Sequence, residues 1–241
     1  MRIEYGAQSD QGMVRTSNED SFIADPQGHT FLVADGMGGH AAGEIASQIA
    51  ASTVKELLSG RSPDSDMEEL LQAAVQEANK RVFETQKLMP EYRGMGSTLT
   101  VLAILDGCYF LAQVGDSRAY LFRNKSLSQL SRDHSLVWPL FEKGLLSKDD
   151  ISRHPQKNLI TRSIGTHPDV DADLQSGPLL EGDVFLLCSD GLTDVLSDHD
   201  ILQILSSTGT NPQEASEKLI QAANFGGGPD NVTVIVVSVL P

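Results

Sequence analysis

The sequence predicts an α+β fold, a four-layer α/β/β/α sandwich of two mainly antiparallel sheets flanked by helix pairs, with a flap inserted at about residues 133–165. Three observations predict it. Strand-like apolar runs arrive in clusters, helical patterns arrive in pairs, and 241 residues, 40% of them apolar, suffice to bury one full core. Residues 1–241 therefore read as one domain, with no internal repeat.

The elements follow in order. Short strands are expected near Ile3 to Ser9, Ser21 to Ala24 and Thr30 to Ala34. Two helices come next. The first, Ala42 to Leu58, repeats Ile45, Ile49, Thr53, Val54 and Leu57 at helical spacing. The second opens at a capping box, Ser65-Asp66-Met67-Glu68, and runs to about Lys87 on a stripe of Met67, Leu70, Leu71, Ala74, Val75, Ala78 and Val82. Gly60 to Asp64 is the connector between them.

Strands Thr98 to Leu105 and Cys108 to Val114 are joined by Asp106-Gly107, a strong hairpin signal. Further strands are expected at Ala119 to Phe122 and Leu127 to Leu130. The flap carries short helical patterns at Leu136 to Lys143 and Lys148 to Ile151. A strand at Val184 to Ser189, a helix from Ser197, a helix capped by Asn211-Pro212-Gln213-Glu214 and a closing strand from Asn231 to Val239 complete the chain.

A formal net charge of −15 and a pI near 4.6 exclude nucleic acid and anionic membrane as the expected partners, because the mean field repels both. No apolar run approaches the roughly 18 residues of a membrane helix, and the first residues lack a signal-peptide pattern. Cys108 and Cys188 both fall in expected strands, as small core residues rather than a disulfide or zinc framework. A soluble, cytoplasmic protein is expected.

Four aspartates, Asp35, Asp116, Asp190 and Asp230, each sit against a short apolar run. Strand ends in one core bring such acids together, and carboxylates at close range repel unless a cation neutralises them. Bound divalent metal is the simplest resolution. Taken singly, the motifs say less: Arg15 before Glu19-Asp20 reads as a solvated salt link, and Asp35-Gly36 as ordinary turn chemistry.

The ordered set says more. It comprises Arg15 with Glu19-Asp20, Asp35-Gly36-Met37-Gly38-Gly39-His40, Gly96-Ser97-Thr98, Gly115-Asp116-Ser117-Arg118, Asp133-His134, Arg162-Ser163-Ile164-Gly165, Ser189-Asp190-Gly191-Leu192 with Asp194, and Gly228-Pro229-Asp230-Asn231. This resembles the metal-dependent serine/threonine protein phosphatases of the PPM, or type 2C, family, and among them the compact bacterial enzymes. The resemblance spans essentially the whole chain.

The resemblance implies two Mg²⁺ or Mn²⁺ ions and a metal-bridged water that attacks phosphoserine or phosphothreonine in proteins, opposing a serine/threonine kinase. By the same resemblance Asp35 bridges the ions, Asp190 and Asp230 complete one site, and Glu19 with the Gly36 carbonyl supports the other. Asp20 and Asn231 would orient waters. Asp116, Asp190 and Asp194 resemble the ligands of a third, weaker site.

Arg15 is the candidate grip on the substrate phosphate, its guanidinium offering paired donors. His40 is the candidate acid for the leaving alkoxide, although Met37 stands where many eukaryotic members carry a histidine directly after Asp-Gly. Asp133 and His134 are expected as supporting groups at the flap base, and His154 either faces substrate or is an ordinary polar residue before Pro155. Arg118 and Arg162 are expected in internal ion pairs, and Trp138 with Phe141 as packing for the flap.

The expected partners are phosphorylated proteins, those of a kinase and the kinase itself, met by a monomer. Two alternatives remain: a non-catalytic phosphoprotein-binding regulator of the same fold, and another two-metal phosphoester hydrolase such as a nuclease. The first would have lost core acids, which this chain keeps. The second would need a basic track, which it lacks.

Overall fold

A computed structural model describes residues 1–27, 29–38, 42–62, 65–147, 150–151 and 153–241. The expected His40, Pro63 and Asp64 of the expected connector, and Lys148 and Asp149 of the expected helix at Lys148 to Ile151 lie outside the described residues.

Two sheets form the centre. The first runs β1 (Arg2–Asp10), β11 (Val232–Leu240), β10 (Val184–Cys188), β7 (Arg118–Arg123), β8 (Ser126–Gln129), in that spatial order. The second runs β2 (Asp20–Asp25), β3 (Thr30–Met37), β5 (Leu99–Leu105), β6 (Cys108–Val114), β9 (Asp173–Pro178), and the short β4 (Gly96–Ser97) pairs with β3. Every pairing is antiparallel.

Alternate residues on the central strands enter different layers, which explains why these strands are apolar throughout rather than half polar. On β3, Phe31 and Val33 join Leu102, Phe185, Leu187, Ile235 and Val237 between the sheets. Leu32 and Ala34 face the other way, against α1 (Ala42–Ser59) and α2 (Met67–Leu88), where Ala46, Ala50, Val54, Leu71, Val75 and Val82 cover them. On β10 and β11, Leu186, Val234 and Val236 pack with Ile201, Leu205 and Leu219 of α5 (Asp198–Thr208) and α6 (Pro212–Phe225). The result is helices, sheet, sheet, helices, as expected.

Local chemistry sets the boundaries. Asp106 and Gly107 both take positive φ, 50° and 74°, so β5 returns directly as β6. Asn211 Oδ1 accepts the Glu214 amide at 3.2 Å with Pro212 beside it, capping α6. At α2 the cap differs from expectation: Asp66, not Ser65, closes the helix, its Oδ1 accepting the amides of Glu68 and Glu69 at 2.9 and 3.2 Å. A carboxylate one residue later also meets the positive end of the helix dipole.

Besides a short 3-10 turn at Pro90–Tyr92, three further elements among the described residues were not expected. β9 is an edge strand of polar composition, Asp173-Leu174-Gln175-Ser176-Gly177-Pro178, so no apolar run announces it. β4 has two residues. A single helical turn, α4 (Asp190–Thr193), follows β10 directly. The flap packs through Val137, Trp138 and Ile151 around α3 (Trp138–Glu142), with Trp138 and Phe141 ring centroids 5.3 Å apart. Cys188 is buried and Cys108 half-buried, both as free thiols. Among the described residues no helix is long and apolar enough to cross a membrane.

Candidate metal centre

The acids collect at one end of the sandwich, where the two sheets meet. Glu19, Asp20 and Asp35 come from β2, β3 and the loop before them; Asp190 and Asp230 come from the junctions around β10 and β11. Asp116 lies where the chain crosses from β6 in one sheet to β7 in the other. Asp35 is not at a strand end as expected: β3 continues through Gly36 and Met37, which pair with Ser97 and Gly96 of β4. That extension holds Asp35 rigidly. Its amide donates to Thr98 Oγ1 at 2.9 Å, and its carbonyl accepts from the Thr98 amide at 2.8 Å and Ser97 Oγ at 3.0 Å.

Two Asp-Gly pairs owe their glycines to close packing. A Cβ at Gly36 would lie 2.1 Å from the Gly43 carbonyl oxygen at the start of α1, and 2.6 Å from the Glu19 carbonyl. A Cβ at Gly191 would lie 1.9 Å from the Asn231 carbonyl oxygen. The second contact presses the Asp190 turn onto the Asp230 turn, which is how acids far apart in the chain become neighbours.

The electrostatics are those of an under-neutralised acidic cluster. Burial raises Asp35 well above the ordinary carboxylate range, and the charges of Asp20, Asp190 and Asp116 raise it further. Burial does the same to Asp190, with Asp116, Asp194, Asp230 and Asp20 adding to it. Asp20 is pushed up to about 6 and Asp116 to about 7, burial being the main cause in each. One oxygen of Asp20 accepts from Ser189 Oγ at 2.7 Å, while Asp20 Oδ1 and Asp116 Oδ1 are buried without a hydrogen-bond partner.

Among the described residues no three of the acidic, histidine or cysteine side chains converge as a ready metal-binding group. Two protein cations pair with acids at the edge of the cluster. Arg15, expected free for phosphate, donates from Nη2 to Asp230 Oδ2 at 2.6 Å. Lys157 Nζ, from the flap segment His154-Pro155-Gln156-Lys157-Asn158, lies 2.8 Å from Asp194 Oδ1, a pairing the sequence did not suggest. The donor set nonetheless suits hard divalent ions: carboxylate oxygens and a carbonyl, two of the oxygens buried and unsatisfied.

Other expected residues have structural partners. Asn231, expected to orient water, instead fastens the loop that carries Arg15 and Glu19: Oδ1 accepts the Glu19 amide at 2.9 Å, and Nδ2 donates to the carbonyls of Gln11 and Ser17 at 2.9 and 2.8 Å. Its amide thus serves backbone that would otherwise be unpaired. Asp133 receives Arg118 Nε and Nη2 on the same carboxylate, the shortest contact 2.7 Å, with Gln129 Nε2 at 2.8 Å.

His134 Nδ1 accepts the Gly115 amide at 3.0 Å, so its proton sits on Nε2, which faces Asp173 Oδ2 at 3.2 Å. The 3.1 Å approach of Arg162 Nη1 to Nε2 is then donor against donor, and Asp173, bonded to Arg162 at 2.6 Å, serves both. His154 Nδ1 accepts the Gln156 amide at 3.2 Å, a local turn contact. Asp133, His134 and Arg162 thus bind the flap to the core.

On the flap side of the acids is a cavity of about 310 Å³, lined by Asp116, Asp190, Asp194, Trp138, Lys157 and Asn158 among others.

A family model described as Protein phosphatase 2C matches residues 13–222. The serine/threonine protein phosphatase PstP of Mycobacterium tuberculosis is 40% identical over 238 residues, 99% of this chain, which spans 45% of that protein's length. The serine/threonine phosphatase stp of Listeria monocytogenes is 37% identical over 243 residues, covering 98% of this chain and 95% of its own. A crystal structure of the catalytic domain of PstP in complex with two manganese ions superposes with a TM-score of 0.90 at 38% identity over 99% of both chains. With the acids, their glycines and the flap all in place, the chain belongs to the protein phosphatase 2C family.

Proposed function

We propose that this chain hydrolyses phosphoserine and phosphothreonine in proteins, using Mg²⁺ or Mn²⁺ held by its acidic cluster. The observation that carries the reading is the uncompensated negative charge around Asp35: a recessed carboxylate raised by burial and then by Asp20, Asp190 and Asp116, with buried unsatisfied oxygens on Asp20 and Asp116. The two manganese ions of the related PstP structure support the same reading. When bound, such ions supply charge neutralisation and an activated water.

Each residue then has a distinct role. Asp35, Asp190 and Asp230 would hold one ion, and Asp35 with Glu19 and the Gly36 carbonyl the other. Asp20, opposite Asp35 on β2, adds negative charge behind it. Asp116, Asp190 and Asp194 form a third, weaker site. Arg15 leaves Asp230 for the substrate phosphate, whose two oxygens match its paired donors. Asp230 would be a metal ligand in the loaded protein, and Arg15, which pairs with it here, would then be available to phosphate. His40 is the proposed proton donor to the leaving alkoxide, and His154, on the flap, the proposed contact to the substrate chain.

The reading places the protein in the cytoplasm as a monomer, acting on the substrates of a serine/threonine kinase and on the kinase itself. Purified protein should release phosphate from an aryl phosphate and from a phosphothreonine peptide with Mn²⁺, and stop with EDTA. Asp35→Ala should reduce turnover at least about a hundredfold, the scale of losing several kcal/mol of transition-state stabilisation. Phosphopeptide retained without phosphate release would identify a binding module, and cleavage of DNA or RNA a nuclease.

A further inference from the structure

The loop from Gln11 to Glu19 presents more than Arg15. Immediately before that guanidinium stand Met13 and Val14, 70% and 67% exposed, on a backbone with little freedom to hide them. The Met13 amide donates to the Gly228 carbonyl at 2.8 Å, Gln11 Nε2 donates to the Arg15 carbonyl at 2.6 Å, and a Cβ at Gly12 would lie 2.2 Å from the Asp230 carbonyl oxygen. The end of α6 is tied to the same loop. Asn224 Nδ2 donates to Asp10 Oδ1 at 3.0 Å, and the next residue, Phe225, which ends the helix, is 96% exposed. Single exposed apolar side chains are ordinary on a protein surface. Here three are fixed on two segments joined by hydrogen bonds, beside the cation that meets phosphate.

We propose that Met13, Val14 and Phe225 form an apolar shelf beside Arg15 that takes an apolar side chain next to the phosphorylated residue of the substrate, so that phosphoserine or phosphothreonine flanked by leucine-like residues is preferred to the same residue in a polar segment. The inference rests on reading Arg15 as the grip on the substrate phosphate. On that reading the shelf is continuous with the reacting position. Val14 and Arg15 are consecutive, and consecutive Cα atoms lie 3.80 Å apart, the same step that separates a phosphorylated residue from its neighbour.

The size of the shelf selects its occupant. Three side chains bury at most a few hundred square ångströms, far below the roughly 1,200 Å² at which stable protein–protein interfaces begin, yet enough for one or two side chains of an extended peptide. Charge acts in the same direction. A net charge of −15 repels acidic flanking sequence and leaves apolar contact as the attraction a phosphopeptide can add. Because the hydrogen bonds hold the loop in place before substrate arrives, little of the contact is spent on ordering it.

The experiment gives the full chain, loaded with Mn²⁺, two phosphothreonine peptides that differ only in having leucine or serine on both sides of the phosphothreonine. Wild type should show a kcat/KM about three- to tenfold higher for the leucine peptide, the scale of partly burying one apolar side chain. Met13→Ser and Phe225→Ser should each lower that ratio, and the double variant should bring it near one, while kcat/KM for the serine peptide and inhibition by inorganic phosphate stay at wild-type values. Met13→Leu and Phe225→Leu should keep most of the preference. Both peptides are measured on one preparation, so any loss of folded protein cancels in the ratio. A wild-type ratio near one, or a ratio unchanged in the double variant, overturns the proposal. Concentration-dependent dimerisation that the double variant loses while keeping the ratio would assign the shelf to a second copy of the chain, and overturns it as well. Release of phosphate from neither peptide by wild type would overturn the phosphatase reading itself, and this inference with it.

Discussion

Asp20 and Asp35 are direct cross-strand partners on β2 and β3, two carboxylates facing each other across an antiparallel ladder. Like charges so placed destabilise a sheet, by up to about 1 kcal/mol at exposed sites. The arrangement is tolerable in the folded chain only with protonation or with a counter-ion. It follows that Asp35→Asn should raise the melting temperature of the metal-free protein slightly while abolishing its response to Mn²⁺. For wild type, a hundredfold excess of Mn²⁺ over its Kd corresponds to about 2.7 kcal/mol per site, or roughly 5–10 °C for a chain of this size. Scanning calorimetry with and without EDTA measures both. An Asp35→Asn protein that melts lower than wild type without metal would contradict the reading of this pair as mutually repelling.

Arg15 has two alternative anions, Asp230 in the structure and the substrate phosphate in the proposed reaction. Arg15→Ala should lower kcat/KM for aryl phosphate about 10- to 100-fold, the scale of charge-assisted hydrogen bonds. Inhibition by inorganic phosphate should weaken in parallel. If phosphate inhibition were unchanged, Arg15 would be a partner of Asp230 and nothing more.

Asn231 makes three hydrogen bonds from its side chain, all to the backbone between Gln11 and Glu19. Replacing it with alanine leaves those groups unpaired and should cost about 2–3 kcal/mol. The sharper readout is local. Amide exchange at Glu19 should accelerate more than exchange in β11 does, because the loop loses its tie while the strand keeps its ladder.

His134 gives a pH dependence. Its ring is held neutral by burial first, with the Arg162 charge in the same direction, and its pKa falls below the ordinary histidine value despite the hydrogen bond with Asp173. A histidine depressed in the folded state contributes stability that is complete above its unfolded value, near 6.5, and is lost as pH falls below it. His134 should therefore contribute a loss of stability between about pH 7 and pH 5, set against the gain from protonating the raised Asp20 and Asp116 in the same window. His134→Gln should be less stable at pH 8 yet show a shallower loss on acidification, measured by urea unfolding at each pH. An identical slope in the variant would remove His134 as the origin.

The layers were legible because both sheets are covered on both faces, so their inner strands announce themselves as unbroken apolar runs, β11 most plainly. The acids were legible because each follows or precedes such a run. β9 was not: an edge strand with one wet face and a glycine near its end carries no such signal, although its Asp173 serves both His134 and Arg162. Lys157 was equally hidden, since a surface lysine acquires meaning only from the carboxylate folded beside it. The cap at α2 was misplaced by one residue because Ser65 and Asp66 are both good caps, and only the turn geometry selects between them.

β11 lies between β1 and β10, with Arg2 paired to Leu240 and Asp10 to Val232. During synthesis β1 thus waits for β11, and Asp230 arrives only at the threshold of that late partner. A nascent chain holds the hairpins of the other sheet long before it holds a complete ion-binding centre. Synthesis itself postpones the assembly of the acidic cluster until the sandwich closes.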